Sequence, residues 1–251
     1  MTARSRPMFD DLQYRILKTI SHGAPGVTSP YAGKSKLAVL MGEDFFRRIA
    51  GKVVIDFGCG QGVDSVEIAA RGASRVIGVD IREDMLEAGR EEAVRRGVQD
   101  RCIFTKSPAE QADFVISVDA FEHFADPAAI LNTMSGLLRP GGQVLLSFGP
   151  TWYHPMGGHL FSLFPWAHLV FSEKSLIRWR STFRNDGATR FGEVAGGLNQ
   201  MTIDRFEELI ANSPFRVAAL ELVPIRRLKP LHNRLTREFT TAVVRCSLNL
   251  R

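Results

Sequence analysis

A glycine-rich turn between an apolar strand and a helix is the segment of this chain best suited to hold a ligand. Residues 56–62 read DFGCGQG and lie between the apolar run Lys52–Phe57 and the helical pattern Val63–Arg71. Glycines let the backbone approach a ligand closely, and the helix start directs unpaired N–H groups toward it. The dinucleotide fingerprint is G-x-G-x-x-G, whereas here Gly62 comes one residue early and Asp56 precedes the first glycine. That carboxylate suits a cationic group better than a pyrophosphate.

A second acidic residue, Asp80, ends the next predicted strand, Arg75–Val79. A carboxylate at this position accepts hydrogen bonds from both hydroxyls of a ribose. Asp56 and Asp80 together therefore predict a ligand with an unphosphorylated ribose and a cationic end. S-adenosylmethionine meets both requirements, whereas the glycine spacing disfavours a dinucleotide and hence a dehydrogenase.

The elements that must position these residues alternate between strands and helices. The predicted strands are Lys52–Phe57, Arg75–Val79, Arg101–Thr105, Phe114–Val118 and Gln143–Phe148. The predicted helices are Val63–Arg71, Arg82–Arg96 and Asp126–Leu138, followed by the helix Thr202–Ser213 and two strands, Phe215–Val223 and Glu238–Leu248. We predict an α/β fold with a Rossmann-like, doubly wound sheet, mostly parallel with an antiparallel C-terminal strand, and helices on both faces.

The chain is predicted to form a single domain over residues 1–251, because no linker-like run interrupts it. An N-terminal helical segment (1–50) precedes the glycine-containing core (51–149), and the last helix and strand pair occupy 201–251. Residues 150–200 lose the strand–helix alternation and are rich in aromatic, Gly and His residues. This composition predicts a cap inserted over the carboxyl edge of the sheet.

Four segments in order resemble the motifs of the class I S-adenosylmethionine-dependent methyltransferases. They read VVIDFGCGQG, VIGVDIREDML, FVISVDAFEHFADP and LLRPGGQVLLS, and the third resembles the subgroup of quinone-biosynthetic and small-molecule methyltransferases. The resemblance covers residues 31–149 well and the terminal strands more loosely. It implies an enzyme that uses S-adenosylmethionine as methyl donor and releases S-adenosylhomocysteine.

The resemblance also implies a role for each matching position. Asp56 would organise the glycine turn and face the methionine ammonium, Asp80 would bind the ribose, and Ile81 would lie against the adenine. Asp119 and Ala120 would line the methionine and sulfonium side. The full set of cofactor-binding residues so implied is Asp56, Gly58, Cys59, Gly60, Asp80, Ile81, Ser107, Ala109, Asp119, Ala120, Tyr31 and Lys34.

Two parts of the expected cofactor site depart from the family pattern or lie outside its core motifs. The family commonly places an Asp after the third strand to hold the adenine amine, but here residues 106–110 read KSPAE, so Ser107 or Glu110 would have to substitute. In the family the N-terminal segment often folds over the cofactor, which makes Tyr31 and Lys34 candidates. The alternative is a surface loop that joins two helices.

The acceptor side of the predicted site contains histidines. Methyl transfer to oxygen or nitrogen requires a base that removes a proton near neutral pH, and imidazole is suited to this. His154 and His159 in the predicted cap are the first candidates for the base, and His123 after the fourth strand is the third. Each could instead make a structural hydrogen bond. A metal site built from His154, His159 and His168 has no diagnostic spacing, so no metal is predicted.

The acceptor itself is expected to be a small molecule of hydrophobic, aromatic or anionic character, methylated on oxygen in a natural product, lipid or glycan precursor. The net charge is +5, with a basic cluster of Arg226, Arg227, Lys229, Arg234 and Arg237. A nucleic-acid or protein methyltransferase, or a non-catalytic S-adenosylmethionine-binding protein, is the alternative. Nucleic acid is not favoured, because the chain lacks the Asn/Asp-Pro-Pro-Tyr/Phe and Pro-Cys signatures. Three scattered cysteines and no long apolar run predict a cytoplasmic protein without a membrane span.

Overall fold

The computed structural model describes residues 7–20, 33–42, 44–194 and 196–251. Seven strands form one sheet in the order β3-β2-β1-β4-β5-β7-β6. The strands are β1 (Val53–Phe57), β2 (Arg75–Val79), β3 (Cys102–Thr105), β4 (Ala112–Val118), β5 (Leu138–Phe148), β6 (Phe215–Pro224) and β7 (Thr241–Leu250). Strand β7 is antiparallel to both of its neighbours. The other five strands that are adjacent in the sheet, β3, β2, β1, β4 and β5, are parallel to one another. This architecture confirms the predicted doubly wound sheet.

Ten helices of the described residues surround this sheet. They are α1 (Pro7–Ile20), α2 (Lys36–Met41), α3 (Asp44–Ile49), α4 (Val63–Ala70), α5 (Glu83–Arg95), α6 (Pro127–Gly136), α7 (Ala167–Val170), α8 (Glu173–Arg180), α9 (Ile203–Ala211) and α10 (Arg237–Thr240). The side chain of Asp126 caps α6 by accepting a hydrogen bond from the Ala129 N–H at 3.0 Å. Thr202 caps α9 in the same way. Local capping signals therefore fix these helix starts.

Two predicted strand boundaries differ from the observed ones by three residues or more. Strand β7 begins at Thr241 instead of Glu238, because the preceding residues form the short helix α10. The Glu238 carboxylate accepts hydrogen bonds from the N–H groups of Ile203 and Asp204, at the start of α9. Strand β5 extends back to Leu138, because the turn before it still pairs with β4 through an irregular register.

The buried apolar residues of the described ranges form three clusters. Two of them cover the opposite faces of the sheet, as the alternating pattern requires. The third joins Leu17 of α1 to residues of the 150–200 segment, including Trp179 of α8. Helix α1 therefore packs against the 150–200 segment. No helix in the described ranges has the length and apolar character needed to cross a membrane.

Candidate active site

The turn between β1 and α4 brings the backbone to the carboxyl edge of the sheet. The N–H groups of Gly58 and Cys59 both donate to the Val79 carbonyl, at 2.8 and 3.0 Å, which ties the turn to β2. Gly58 has a φ of +84°, and a Cβ at this position would lie 2.8 Å from the Ala120 Cβ. The position therefore requires glycine for both its conformation and its space.

A cavity of about 670 Å³ opens beside this turn, a volume typical of small-molecule and cofactor sites. Its lining comes from the turn, the start of α4, the end of β4 and the segment before α2: Gly33, Lys34, Ser35, Lys36, Gly58, Cys59, Gly60, Gln61, Val63, Asp64, Glu67, Val118 and Asp119. Five of the predicted cofactor-binding residues are part of this lining: Lys34, Gly58, Cys59, Gly60 and Asp119. Tyr31 lies outside the described residues.

Lys36 is a cavity residue that the sequence analysis missed. Its Nζ lies 2.6 Å from an Asp64 carboxylate oxygen and 4.0 Å from one of Asp119. Burial lowers the pKa of Lys36, but the carboxylates of Asp64 and Asp119 outweigh this effect and raise the pKa above its ordinary value. The cavity therefore contains an ammonium group next to two carboxylates, an arrangement that complements the charged amino and carboxyl groups of an amino acid.

Asp80 is held by two backbone groups at the mouth of the glycine turn. Its Oδ2 accepts a hydrogen bond from the Gly60 N–H, and its Oδ1 accepts one from the Arg82 N–H, each at 3.0 Å. A carboxylate has about four acceptor positions, so these two bonds leave positions for two ribose hydroxyls. The backbone therefore holds the Asp80 carboxylate in place, and the carboxylate can still accept hydrogen bonds from a ligand.

Asp56, which was predicted to face the methionine ammonium, is not among the residues that line the cavity. The Asp56 side chain is buried behind the turn, where its Oδ2 accepts a 2.6 Å hydrogen bond from the Ser65 hydroxyl of α4. Burial, and next the charge of Asp64, raise the pKa of Asp56 to about 7. Asp56 therefore anchors the turn to the helix, whereas Asp64 and Asp119 present carboxylates to the cavity.

The residues expected around the adenine do not line the cavity. Ile81 is 88% exposed, and both Ser107 and Ala109 are exposed after β3. Glu110 forms a 2.9 Å ion pair with Arg75, at the start of β2. Because that end of the strand is opposite the glycine turn, Glu110 is wrongly placed to hold an adenine amine. Ala120 is buried under the turn, against the position of Gly58.

Two of the three predicted catalytic histidines lie side by side. The rings of His123 and His159 are 5.3 Å apart between centroids and inclined at 75°. The His123 Nδ1 is 2.8 Å from the Gly197 carbonyl oxygen, and the His159 ring faces the Pro150 carbonyl. Carbonyl oxygens only accept, so a ring N–H points at each carbonyl and the other ring nitrogen, Nε2, carries the free lone pair.

The environment keeps His159 neutral. Burial, and next the neighbouring His123, lower the pKa of His159 to about 4. Its Nε2 is buried and has no hydrogen-bond partner among the described residues. Both His159 and Asp119 have a φ of +51°, a conformation that residues with a side chain rarely adopt. Strained backbone of this kind is concentrated at functional sites.

The structure separates His154 and His168 from this pair. His154 accepts a hydrogen bond from the Met156 N–H at its Nδ1 and lines neither this cavity nor the one beside His123 and His159. His168 is bonded at both ring nitrogens, to the Ser162 hydroxyl and to the Trp152 carbonyl, which gives it a structural role. Within the described ranges, no three His, Cys, Asp or Glu side chains are grouped so as to hold a metal ion.

Glu122, which directly precedes His123 in the sequence, has a buried carboxyl group. It follows β4 in the turn Phe121–His123, and its Oε1 lies 3.4 Å from the Gly149 N–H at the end of β5. Burial raises the pKa of Glu122 to about 8, and the charge of Asp119 adds to this. The protonated carboxyl group therefore links the ends of the two strands at neutral pH.

Replacing Glu122 with Gln should remove a pH-dependent loss of stability. Because the folded-state pKa is raised from 4.5 to about 8, the folded protein keeps a proton that the unfolded chain releases. The free energy of unfolding therefore falls as pH rises through this window, by at most about 1.4 kcal/mol per pH unit. E122Q should gain stability relative to the wild type as pH rises, measured by calorimetric melting between about pH 5 and pH 8. A difference in Tm that is independent of pH would contradict this assignment.

A comparison with known families assigns this site. Residues 35–192 match the family model described as a methyltransferase domain. The chain belongs to the class I S-adenosylmethionine-dependent methyltransferase family. The match spans the glycine turn, all but Gly33 and Lys34 of the cavity lining, and most of the 150–200 segment. The enzyme therefore uses S-adenosylmethionine as its cofactor.

The relatives of this methyltransferase act on different kinds of acceptor. It is 41% identical over 105 residues to the ubiquinone biosynthesis O-methyltransferase of Pseudomonas paraeruginosa, covering 39% of this chain and 45% of that protein. It is also 41% identical over 101 residues to the ribosomal protein L11 methyltransferase of Vibrio cholerae, covering 39% and 34% respectively. The matches thus span less than half the length of these relatives.

A solved structure has the same fold over nearly the whole methyltransferase. The magnesium protoporphyrin IX methyltransferase of Synechocystis PCC 6803, with bound S-adenosylhomocysteine, aligns with a TM-score of 0.55 and 17% identity over 96% of both chains. At 17% identity, this structural similarity shows that the two proteins share a fold.

Proposed function

We propose that this methyltransferase transfers a methyl group from S-adenosylmethionine to an oxygen of a small molecule. The observation that carries the proposal is the pair His123 and His159, whose Nε2 lone pairs are free beside the strand ends that form the cofactor cavity. Asp119, which lines that cavity, is four residues before His123. An imidazole held there is placed to accept the proton of a hydroxyl group as its oxygen is methylated.

The cavity residues fit the cofactor. A Cβ built at Gly60 meets nothing within 4 Å, so the turn borders open space where a ligand would lie. Asp80 would hold the ribose hydroxyls, Lys36 the methionine carboxylate, and Asp64 with Asp119 the ammonium group. Bound S-adenosylmethionine supplies an electrophilic methyl group. The chain supplies alignment of the acceptor with that group, and alignment accounts for much of the rate of such a displacement.

The 150–200 segment serves as the cap of the acceptor pocket in this proposal. The His159 ring faces the Pro150 carbonyl just after β5, and the Asn199 amide donates to the Phe121 and Phe124 carbonyls after β4. Both anchor points lie at the carboxyl edge of the sheet, beyond which parallel sheets bind their ligands. A cap in this position excludes water from the reacting groups.

A second candidate function is methylation of a protein or nucleic acid. The observation in its favour is the exposed basic turn Arg226–Leu231, which Arg234 follows. Arg237 does not belong to this surface, because it is bonded to Glu207 and Asp204. The remaining cations line neither the cofactor cavity nor the cavity beside His123 and His159, so we favour the small-molecule acceptor.

The proposed function is tested in two stages. Calorimetric titration should show micromolar binding of S-adenosylmethionine and none of NAD, and Asp80→Ala should weaken the former by about 1–3 kcal/mol, because the ribose acceptor is lost. Release of S-adenosylhomocysteine is then measured with phenols, hydroxy acids, sugars, peptides and RNA as acceptors. Turnover confined to peptides or RNA would contradict the small-molecule assignment, and binding of NAD alone would contradict the cofactor site.

A further inference from the structure

A second, smaller cavity lies next to the histidine pair. It encloses about 130 Å³, similar to a cavity of about 150 Å³ that accepts one benzene ring. Its lining is His123, Gly158, His159, Leu160, Phe161, Arg180, Arg184, Val194, Gly197 and Leu198. The wall is therefore divided between apolar groups, two imidazoles and two guanidinium groups. No residue of the cofactor cavity is part of it.

Arg180 is the least expected member of this wall. The residue is 2% exposed, and its two terminal nitrogens donate to both carboxylate oxygens of Asp186, at 2.7 and 2.5 Å. The third guanidinium nitrogen, Nε, is buried and its N–H has no partner among the described residues. A buried donor without a partner costs free energy, so its retention beside a cavity indicates that a bound ligand accepts from it.

Arg184 gives this cavity its net positive charge. Asp186 compensates the charge of Arg180, whereas Arg184 is exposed and its side chain makes no hydrogen bond or ion pair with a described residue. Both arginines are at the end of α8 or just after it, on the side of the cavity that the 150–200 segment forms. An anion at this position would be attracted by Arg184 and accept from the Arg180 Nε–H.

The opposite wall presents acceptors. The Nδ1–H of His123 donates to Gly197, and the His159 ring faces the Pro150 carbonyl with an N–H, so each remaining ring nitrogen offers a lone pair. Lone pairs of this kind bind a hydroxyl hydrogen but repel a carboxylate. The two walls thus require different groups on one ligand.

We infer that the small cavity binds the acceptor through two groups: a hydroxyl that donates to the histidine pair, and a carboxylate or similar anion that accepts from Arg180 and Arg184. This inference rests on the proposed function and narrows its acceptor to hydroxylated, anionic small molecules. The apolar wall, with Phe161, Leu160 and Val194, accommodates a carbon skeleton the size of one ring between these two groups.

Binding of small probes to the protein loaded with S-adenosylhomocysteine tests this inference. The probes are the three hydroxybenzoate isomers, the matching hydroxybenzyl alcohols, which lack the anion, and benzoate, which lacks the hydroxyl. At least one hydroxybenzoate should bind, and its neutral alcohol and benzoate should each bind about tenfold more weakly. Arg184→Gln should weaken the binding of that hydroxybenzoate by a similar factor. Arg190→Gln, which removes an exposed charge outside the cavity lining, is the matched control and should leave the affinity unchanged.

Three results would overturn the inference: no hydroxybenzoate binds, the neutral alcohols bind as tightly as the acids, or Arg184→Gln behaves like Arg190→Gln. Because Arg184 is exposed, its replacement is not expected to unfold the chain, and a melting curve checks this. Charge-dependent probe binding without methyl transfer to any oxygen would retain the inference and refute the proposed function. Failure to bind S-adenosylhomocysteine would refute the proposed cofactor site, and the same titrations of the unliganded protein would still test the cavity.

Discussion

Turnover should fall by roughly 10²–10⁴-fold when either His123 or His159 is replaced by Ala, because a general base contributes a factor of this size. Affinity for S-adenosylmethionine should stay close to that of the wild type, since neither residue lines the cofactor cavity. The measurements are the kcat for the acceptor found by screening and the calorimetric Kd for the cofactor. Burial lowers the pKa of His159 to about 4, so its imidazole is unprotonated at neutral pH and the contribution of His159 to turnover should be lost only as pH approaches about 4.

His154→Ala is the control for this experiment. The residue is in the same segment and its pKa is also lowered to about 4 by burial, but it does not line the small cavity. We expect its replacement to leave kcat within a factor of about three of the wild type. If His123→Ala and His159→Ala both keep wild-type turnover, the base is a different group, or the nucleophile requires none.

Gly62→Ala should destabilise the protein by about 2–5 kcal/mol, because two costs add at this position. Gly62 has a φ of +73°, which disfavours any residue with a Cβ, and a Cβ here would lie 2.5 Å from the Phe104 ring and 2.8 Å from the Gly89 Cα. The ring is buried between β3 and α5 and cannot retreat without opening the core. Calorimetric melting should show a Tm lower by roughly 5–15 °C.

Gly97→Ala separates these two costs. Its φ of +66° is close to that of Gly62, but a Cβ at Gly97 meets nothing within 4 Å. The control therefore measures the backbone cost alone, about 1 kcal/mol, and the difference between the two variants measures the steric cost. Equal losses of stability in the two variants would show that the close approach to Phe104 and Gly89 is not limiting.

The early third glycine was read from the sequence as a departure from the dinucleotide fingerprint, and the structure gives the physical reason for it. Gly62 permits the start of α4 to pass Phe104 of β3 and Gly89 of α5. The spacing thus reflects packing of the helix against its neighbours as well as contact with a ligand. A single sequence shows the spacing, but it cannot show which distant side chain approaches the glycine.

Local sequence patterns were sufficient to predict the elements and residues whose positions depend on their neighbours in sequence. The apolar runs set the five parallel strands, the caps at Asp126 and Thr202 set two helix starts, and the acidic residue at the end of β2 gave Asp80. In a doubly wound sheet the carboxyl ends of consecutive parallel strands share one edge, so Gly58 and Asp119 could be placed together in advance.

Contacts between segments that are distant in sequence decided which charged side chains reach the cavity. Burial behind the turn removed Asp56 from the cavity, and the Arg75 ion pair removed Glu110, although both carboxylates had suitable positions in sequence. Lys36 entered the cavity from a segment without a distinctive motif. A side chain's charge can be read from the sequence, but its partner depends on which elements pack against each other.

The sequence by itself determined the sheet, the glycine turn and the cofactor, because these follow from short-range patterns that the strand and helix periods impose. The tertiary structure alone decided which histidines meet and what faces them. His154 and His159 are equivalent in local composition, yet only His159 of the two lies beside His123, and only the fold brings Arg180 and Arg184 to the same cavity. The physical reason is that irregular backbone between strands has no period from which the direction of a side chain could be predicted.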